Sequence, residues 1–434
     1  MKRIAFPLLA LIILGVSCDE NRMKITNWKD YSKYLVVGSS NHKLNQIDSD
    51  ILFWENRLAK SPGDLTSQIK IAGLLNKRFQ YSGNIHEIFQ ADSLYNLVGP
   101  ILNKSGSGIY RSLASNCVTQ HKFKQADLYL DSAISLGDNL FISKMQKFDV
   151  DIELGNTDEA YRILQSIKDK NSFEYLIRYA KYKDHTGDLN DGILIMEKAL
   201  TKISNDENTS LYCWTKSNLG DMYGHANRFE DSYQAYLEVL KLDPEYYHAL
   251  KGIAWLAFSH DKDIEHSKAI VNFLLDKHPV PDYKLFLSQI SDFEHNSARS
   301  LEFSSKFTKE VTQTQYGDMY NKYLFYLASD HENKYEAALR LAQREVYNRP
   351  TPESYNMLCW AMFISGNIRE SITIAKSKVE NKCFEPDANY HLGIIYKTMG
   401  NRSKARHYLN LAANSIYELG PFYESKIKSA LQSL

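Results

Sequence analysis

The sequence predicts an all-α solenoid built from helix-turn-helix repeats. Three decamers share one pattern, in which a glycine is followed five positions later by alanine or serine: GNTDEAYRIL from Gly155, GNIRESITIA from Gly366 and GNRSKARHYL from Gly400. Apolar residues recur at helical spacing around these decamers. The 434 residues include only 20 glycines and 10 prolines but 29 tyrosines, a composition typical of a packed helical protein rather than a disordered chain.

The decamers belong to a repeat with a period of about 34 residues. Alignment on the small residue gives the series Ala126, Ala160, Gly192, Ser232, Ala338, Ser371 and Ala405. The steps are 34, 32, 40, 106, 33 and 34 residues. Because the 106-residue step spans about three periods, two further degenerate repeats are predicted between Ser232 and Ala338.

Each repeat is predicted to contain two short amphipathic helices, and residues 214–244 show this most clearly. The apolar stripe of the first helix comprises Leu219, Gly220 and Tyr223, and that of the second comprises Phe229, Ser232, Tyr236 and Val239. Pro244 closes the unit. The segment from His391 carries the matching series Leu392, Gly393, Tyr396, Ala405, Leu409 and Ala412. Stripes at this spacing allow each helix to bury one face against its partner.

This pattern resembles the tetratricopeptide repeat, in which Leu-Gly-x-x-Tyr is followed by a small residue, an aromatic residue and a proline. The resemblance covers residues 65–417, as about nine repeats. It implies a right-handed superhelical solenoid in which the first helix of each repeat lines the concave surface. Because each unit of a solenoid is expected to touch only its neighbours, Cys117 and Cys213 are predicted not to pair. Free thiols are expected at these positions and at Cys359 and Cys383.

The glycines of the decamers are interpreted as helix stops. Gly155, Gly187, Gly366 and Gly400 each follow a predicted first helix, where a left-handed backbone conformation is needed. The small residue that follows is expected where two helices cross closely. A phosphate-binding loop is not predicted, since SGSGIY from Ser105 lacks the Lys-Ser/Thr pair that such a loop requires.

The N-terminus is predicted to be an export signal. Lys2 and Arg3 precede an apolar run from Ile4 to Leu14, which is too short to cross a bilayer comfortably. LGVSC resembles the lipobox of bacterial lipoproteins, although Gly15 stands where that motif has leucine. The resemblance implies a signal peptide over residues 1–17 and lipidation of Cys18. The alternatives are an ordinary secretory signal cleaved near Ser17 and a short membrane anchor.

The remaining flanks are predicted to tether and cap the solenoid. Residues 18–45 are expected to form a lipidated tether. Residues 46–64, which end in Pro62 and Gly63, are predicted to form an N-terminal capping helix, and residues 418–434 a C-terminal one.

The sequence offers no pattern for catalysis, metal binding, cofactor binding or nucleic-acid binding. The 52 basic and 52 acidic residues give a formal net charge of zero, so no overall field attracts nucleic acid. Neither a His-Glu-x-x-His pair nor a Gly-x-Ser-x-Gly elbow is present. The adjacent pairs Asp184–His185 and His260–Asp261 are interpreted as solvated loop residues, because neighbouring helix residues do not face each other. A non-enzyme is therefore predicted.

Large aromatic and histidine side chains are predicted on the concave face of the first helices, where they would form a binding surface. The set comprises Trp214, His225, His248, Trp255, Phe258, Tyr320, Tyr323, Trp360, Phe363 and Tyr390. The alternative, left open at this point, is that superhelical curvature or the C-terminal segment covers them as core.

The predicted function is that of a non-catalytic scaffold for a protein or peptide partner. The scaffold is expected to be lipid-anchored in a bacterial cell envelope, in the outer membrane on its periplasmic or surface side, where it could assemble with an outer-membrane complex. The alternative is a glycan-binding outer-membrane lipoprotein. Such binders carry long loops between repeats, whereas the connections here are short apart from residues 202–211.

Overall fold

The computed structural model describes residues 23–36, 41–102, 106–167, 169–204, 208–331 and 334–434. Within these residues ten helical hairpins follow one another, each with an A helix and a B helix. Hairpins 1 to 10 are, in order, α3 (Leu65–Ser82) with α4 (Ile85–Leu102), α5 (Ser107–Thr119) with α6 (Phe123–Ser135), α7 (Leu140–Glu153) with α8 (Thr157–Ser166), α9 (Phe173–His185) with α10 (Leu189–Leu200), α11 (Thr209–His225) with α12 (Phe229–Leu242), α13 (Tyr247–Trp255) with α14 (Ile264–Lys277), α15 (Pro281–Phe293) with α16 (Ser297–Val311), α17 (Asn321–Tyr326) with α18 (Tyr335–Asn348), α19 (Pro352–Ile364) with α20 (Ile368–Ile374), and α21 (Pro386–Thr398) with α22 (Arg402–Asn414).

Shorter elements extend and flank the hairpins. π-helical turns at Leu256–His260, Leu327–His331 and Ala375–Val379 continue α13, α17 and α20, and single 3₁₀ turns lie at Ser32–Tyr34 and Thr314–Tyr316. α1 (Trp28–Tyr31) and α2 (His42–Lys60) precede the array, and α23 (Ile416–Leu419) and α24 (Phe422–Gln432) follow it. The described residues contain no strand, so the predicted all-α superhelical solenoid is confirmed.

The hairpin count exceeds the prediction of about nine by one in the described ranges. The two degenerate repeats expected between Ser232 and Ala338 are hairpins 6 and 7. The additional unit is hairpin 1, in which Ile88 stands five positions after Gly83, where the other repeats have a small residue. It escaped detection because its turn reads SGNIHEIFQA, in which the alanine follows the glycine at a different spacing from the decamers.

The turn from the A helix to the B helix has the same backbone geometry in each of the nine hairpins whose turn the structure describes in full. One residue in each of these turns has a positive φ, between 55° and 87°: Gly83, His121, Gly155, Gly187, Asn227, Lys262, His295, Gly366 and Gly400. The predicted role of the four decamer glycines as helix stops is confirmed. Histidine, asparagine and lysine occupy the same left-handed position elsewhere, which explains why glycine alone did not reveal every repeat.

Small residues allow large rings to pack between helices, and Tyr236 on α12 illustrates this. A Cβ atom at Gly220 would lie 2.7 Å from the Tyr236 ring, and one at Gly252 only 2.3 Å from it. The ring therefore fills space left by glycines on two successive A helices, α11 and α13. Its hydroxyl donates to Asp221 at 2.5 Å. The Leu-Gly-x-x-Tyr pattern thus reflects close helix packing.

Hairpins six units apart touch each other, because one superhelical turn brings the chain back alongside itself. A Cβ atom at Gly83 in hairpin 1 would lie 2.4 Å from Val280, which precedes hairpin 7. Gly155 of hairpin 3 likewise lies against Pro350 before hairpin 9, and Gly187 of hairpin 4 against Phe384 before hairpin 10. The expectation that each unit touches only its neighbours is therefore wrong. Successive turns of the superhelix are packed together.

The C-terminal segment, residues 415–434, folds back across the array onto hairpins 5 and 6. The carbonyl oxygen of Tyr417 accepts hydrogen bonds from Trp255 Nε1 at 2.9 Å and from Ser259 Oγ at 2.7 Å. The Tyr417 ring lies so close to Gly224 that a Cβ atom there would be 2.6 Å away. The segment therefore packs across the surface formed by the A helices, in addition to capping hairpin 10.

The N-terminal segment, residues 23–36, is also packed against hairpins 5 and 6. The backbone N–H groups of Ile25 and Thr26 donate to Asp261 at 3.0 and 2.8 Å, and Lys24 pairs with Asp263 at 2.7 Å. Tyr31 is fully buried. The prediction of a tether through residue 45 is thus wrong for these residues. The capping helix α2 also begins earlier than predicted, at His42 instead of residue 46.

The four cysteines of the described chain are buried free thiols, as predicted: Cys117, Cys213, Cys359 and Cys383. No helix among the described residues is both long and apolar enough to cross a bilayer.

Candidate functional site

Three adjoining cavities form a channel along the concave surface of the array. Their volumes are about 730, 250 and 240 Å³. The first and second cavities share Lys251, Asp282 and Tyr320, and the second and third share Leu285, Gln289, Tyr323 and Glu418. Most of the lining comes from A helices, and Glu418 is contributed by the C-terminal segment. We call this continuous space the inner channel.

The inner channel brings together half of the predicted aromatic set. Trp214 and His248 line the first cavity, Trp255 the second, Tyr320 the first two and Tyr323 the last two. Trp214 is 40% exposed and Tyr323 is 41% exposed. His225 lies nearby, with its Nδ1 atom 3.8 Å from Glu418. Exposed aromatic side chains inside a channel provide the flat apolar contacts that binding surfaces use.

Four of the predicted residues are buried, so their predicted exposure is wrong. They are Phe258, Tyr320, Trp360 and Tyr390. Trp360, which is 8% exposed, stacks on His391 with ring centroids 4.2 Å apart. Tyr390 packs edge-on against Tyr423 of the C-terminal segment at 5.1 Å. Phe363, half-buried, stacks on Trp360. The next hairpin thus covers Trp360, and the C-terminal segment covers Tyr390.

Trp255 occupies an intermediate position, because it lines the channel and also holds the C-terminal segment. Its indole N–H donates a hydrogen bond to the Tyr417 carbonyl oxygen, and its ring contacts Phe258 and Phe286 at centroid distances of 5.7 and 5.3 Å. Trp255 is therefore primarily structural. Trp214, His225, His248 and Tyr323 remain the exposed members of the predicted set.

The third cavity of the channel is strongly acidic. Its lining contains five carboxylates and one ammonium group: Asp292, Asp330, Glu385, Asp387 and Glu418, with Lys322. Asp330 accepts from Tyr423 Oη at 2.6 Å and from Trp360 Nε1 at 3.3 Å, and Tyr326 donates to Asp387. Lys322 lies 3.8 Å from Glu385. Lys322 is the one lysine in this lining, and Lys426 adds a cation that acts on Asp330 and Asp292 from nearby.

Burial in this acidic environment shifts the pKa values of its carboxylates. Burial raises the pKa of Glu418 to about 7; His225 opposes the shift, while Glu385 and Asp184 add to it. Burial also raises the pKa of Glu385, against the opposing effect of Lys322. Although burial acts to raise the pKa of Asp387 too, Lys322 and His391 hold it below its usual value. The channel holds more negative charge than its own cations offset.

The sequence does contain a signal for some of these acids, but that signal has an ordinary explanation. Three A helices begin with proline followed by an acid, at Pro281–Asp282, Pro352–Glu353 and Pro386–Asp387. Proline at the first helical position and an acid beside it are typical of any helix start. Only the superhelix shows that Asp282 and Asp387 face one channel. The position of Glu418 depends on the folded-back C-terminal segment.

The chemistry available in the channel is that of binding. The carboxylates can accept hydrogen bonds or attract cations, and the aromatic rings can stack on flat or cationic groups. In the part of the chain that the structure describes, no group of three or more histidine, cysteine, aspartate or glutamate side chains is arranged to hold a metal ion.

The comparison with protein families identifies two of the repeats. The tetratricopeptide repeat model matches residues 216–246 and 386–415. These ranges correspond to most of hairpins 5 and 10, the two units whose Leu-Gly-x-x-Tyr patterns carried the resemblance. Residues 216–246 and 386–415 are therefore similar to tetratricopeptide repeats. No curated protein matches the chain.

Three solved structures are similar to the chain at low identity. The Cut9–Hcn1 hetero-tetramer of the APC/C is 13% identical with a TM-score of 0.36, over 89% of this chain and 93% of that chain. A tetratricopeptide repeat protein from Parabacteroides merdae ATCC 43184 is 15% identical with a TM-score of 0.35, over 60% of this chain and 97% of that chain. The human IFIT1 dimer with PPP-AAAA is 12% identical with a TM-score of 0.42, over 89% and 99%.

Proposed function

We propose that this protein is a non-catalytic scaffold that binds a segment of a protein partner in its inner channel. The observation that carries the proposal is the channel itself, a continuous space along the A helices with Trp214 and Tyr323 about two-fifths exposed on its walls. Partners bind preferentially where large aromatic side chains stay accessible inside a concave surface. The tetratricopeptide repeats at residues 216–246 and 386–415 support a role in protein interaction.

Replacing Trp214 or Tyr323 with alanine should weaken partner binding by about 2 kcal/mol, a loss of roughly 30-fold in affinity, because each side chain would act as an interface anchor. The partner is first captured on wild-type protein from detergent-solubilised native membranes and identified. Its affinity for each variant is then measured by calorimetry.

The matched control is Phe53→Ala, which removes an exposed aromatic ring on α2, away from the channel. It should bind the partner as wild type does. All three variants should melt close to the wild-type temperature, since their side chains are exposed. Full affinity in both Trp214→Ala and Tyr323→Ala would show that the channel is not the binding surface.

The second part of the proposal is attachment to a bacterial cell envelope through lipidated Cys18, on the outer membrane, where the scaffold could join an outer-membrane complex. Cys18 and the signal peptide lie outside the described residues, so the support for anchoring is the sequence pattern. Because residues 23–36 are packed onto hairpins 5 and 6, only residues 19–22 would link them to the anchor. Four extended residues span at most about 14 Å, so the array would lie close to the bilayer.

Cys18→Ser should abolish detergent-phase partitioning of the exported protein, because the acyl chains would have no attachment point. Phase separation in a detergent extract, followed by immunoblotting, measures this. Cys117→Ser serves as control, since it removes a buried thiol within the array and should leave partitioning intact. A Cys18→Ser protein that still enters the detergent phase would rule out the lipid anchor.

A further inference from the structure

We propose that the inner channel binds a basic peptide segment, with lysine or arginine side chains directed into the cavity between Tyr323 and Glu385. This inference rests on the proposed function and names the chemistry of the partner. A cationic segment is the occupant that complements the charge of the wall.

The charge balance of the third cavity is the first argument. Five carboxylates and one lysine line a space of about 240 Å³. Asp330 and Asp387 accept hydrogen bonds from tyrosine hydroxyls, so their negative charge is locally stabilised. Glu385 and Glu418 differ, because Glu385 faces Lys322 and Glu418 faces the His225 ring only at 3.8 Å. That separation is longer than a hydrogen bond, so both carboxylates can still bind a closer cation.

The surroundings of these carboxylates amplify their attraction for a cation. Glu385, Glu418 and Lys322 are partly exposed, and all three line the third cavity. A narrow cleft with protein walls concentrates the field of charges of one sign and raises the local concentration of oppositely charged groups. Burial is the main cause of the raised pKa values of Glu385 and Glu418, and neighbouring carboxylates add to it; a lysine or arginine entering here would favour the charged form of both groups.

The aromatic walls add a contact that suits the same ligand. Tyr323 lines both the second and the third cavity, beside Glu418, and Trp255 lines the second. Lysine and arginine stack favourably over such rings, and their aliphatic stems pack on apolar side chains. An acidic peptide would meet like charge along the same wall. A peptide with alternating basic residues therefore fits both features of the channel.

The test uses fluorescein-labelled octapeptides of alternating lysine and serine, with a glutamate–serine octapeptide of equal length for comparison. Fluorescence anisotropy should show binding of the lysine peptide to the wild-type protein and no binding of the glutamate peptide. The double variant Glu385→Gln/Glu418→Gln should bind the lysine peptide at least tenfold more weakly. Its melting temperature should not fall, because the substitutions remove mutually repelling charges.

A matched double variant, Glu302→Gln/Glu336→Gln, makes the same change of net charge on exposed faces of α16 and α18. It should bind the lysine peptide as wild type does. An equal loss of affinity in both double variants, or equal binding of the two peptides, would overturn the inference. So would a wild type that does not bind the lysine peptide.

The pH dependence provides a second readout. The charged groups that face Glu418 from the packed elements are Asp184, His225, Lys251, Asp282, Asp292, Lys322, Asp330, Glu385 and Asp387. Because the pKa of Glu418 is about 7, raising the pH from 6 to 8 adds negative charge to the channel. Affinity for the lysine peptide should rise several-fold over this range. Both measurements use proteins that carry His225→Gln, so that the imidazole does not contribute. The rise in affinity should be present in His225→Gln and absent in His225→Gln/Glu418→Gln.

The two proposals fail differently. If the lysine peptide does not bind while Trp214→Ala and Tyr323→Ala still lose the captured partner, the basic-segment inference is wrong and the scaffold proposal stands. If the captured partner binds those variants normally, the scaffold proposal is wrong.

Discussion

Trp255→Ala should lower the free energy of unfolding by about 3 kcal/mol or more and release the C-terminal segment. Trp255 packs among Phe258, Phe286 and Gly420 and donates its indole N–H to the Tyr417 carbonyl. The substitution removes the ring of a half-buried tryptophan and deletes a hydrogen bond, which places the expected loss at the lower end of the roughly 3–5 kcal/mol that replacing a core tryptophan with alanine costs. Urea denaturation measures the loss.

Hydrogen exchange should localise the effect of Trp255→Ala. Amides of residues 416–432 and of α13 should lose protection first, while those of hairpins 1 and 2, which do not touch Trp255, should keep it. Trp214→Ala is the control, because Trp214 is 40% exposed and its removal should change stability by less than about 0.5 kcal/mol. A Trp255→Ala protein as stable as Trp214→Ala would mean that the tryptophan is not part of the core.

The repeats could be predicted from sequence because their determinants are local. A left-handed residue ends each A helix, a small residue follows at the crossing, and an aromatic ring fills the space left by glycine, all within one period of about 34 residues. Tyr236 between Gly220 and Gly252 shows how each position serves this packing. Hairpin 1 was not predicted because Ala91 follows Gly83 at a different spacing from that of the glycine and the small residue in the decamers.

The packing of the two terminal segments onto the array could not be predicted, because it depends on contacts between residues about 200 positions apart. Nothing in the spacing of Asp261 shows that it accepts hydrogen bonds from the backbone of Ile25 and Thr26. Likewise the sequence of the C-terminal residues predicts only a capping helix, although Tyr417 packs against Gly224 of hairpin 5. Residues 23–36 and the C-terminal segment both pack against the middle of the array, and the repeat period contains no signal for either contact.

The candidate site was only half predictable for the same reason. Spacing identified the A-helix face that carries Trp214 and Tyr323, but the sequence does not show how tightly the superhelix curves. That curvature, with the C-terminal segment, buries Trp360 and Tyr390. It also brings Glu385 and Glu418 into one cavity from separate elements. Charges that converge only through tertiary structure leave no motif in the sequence.

Arg349→Ala should cost about 3–5 kcal/mol, because Arg349 joins two turns of the superhelix. Its Nη1 atom donates to Glu153 of hairpin 3 at 2.8 Å and its Nε atom to Glu345 of hairpin 8 at 2.7 Å. The side chain of Arg349 is 13% exposed and that of Glu345 is 5% exposed. Removing the cation leaves Glu345 charged in a poorly solvated site, which is the costly way to break such a pair, whereas Glu153 keeps Lys181 at 3.3 Å.

The control for this variant is Arg340→Ala on α18, the helix that Arg349 follows; Arg340 is 70% exposed and pairs with Glu336, itself 96% exposed, at 3.9 Å. An exposed pair of this kind contributes less than about 1 kcal/mol. If the turns are packed together, Arg349→Ala should reduce hydrogen-exchange protection in both α7 and α18, although the two helices are about 180 residues apart in sequence. A solenoid with contacts only between neighbouring units transmits no such effect. A loss of hydrogen-exchange protection confined to α18 and α19 would therefore refute the packing of successive superhelical turns against each other.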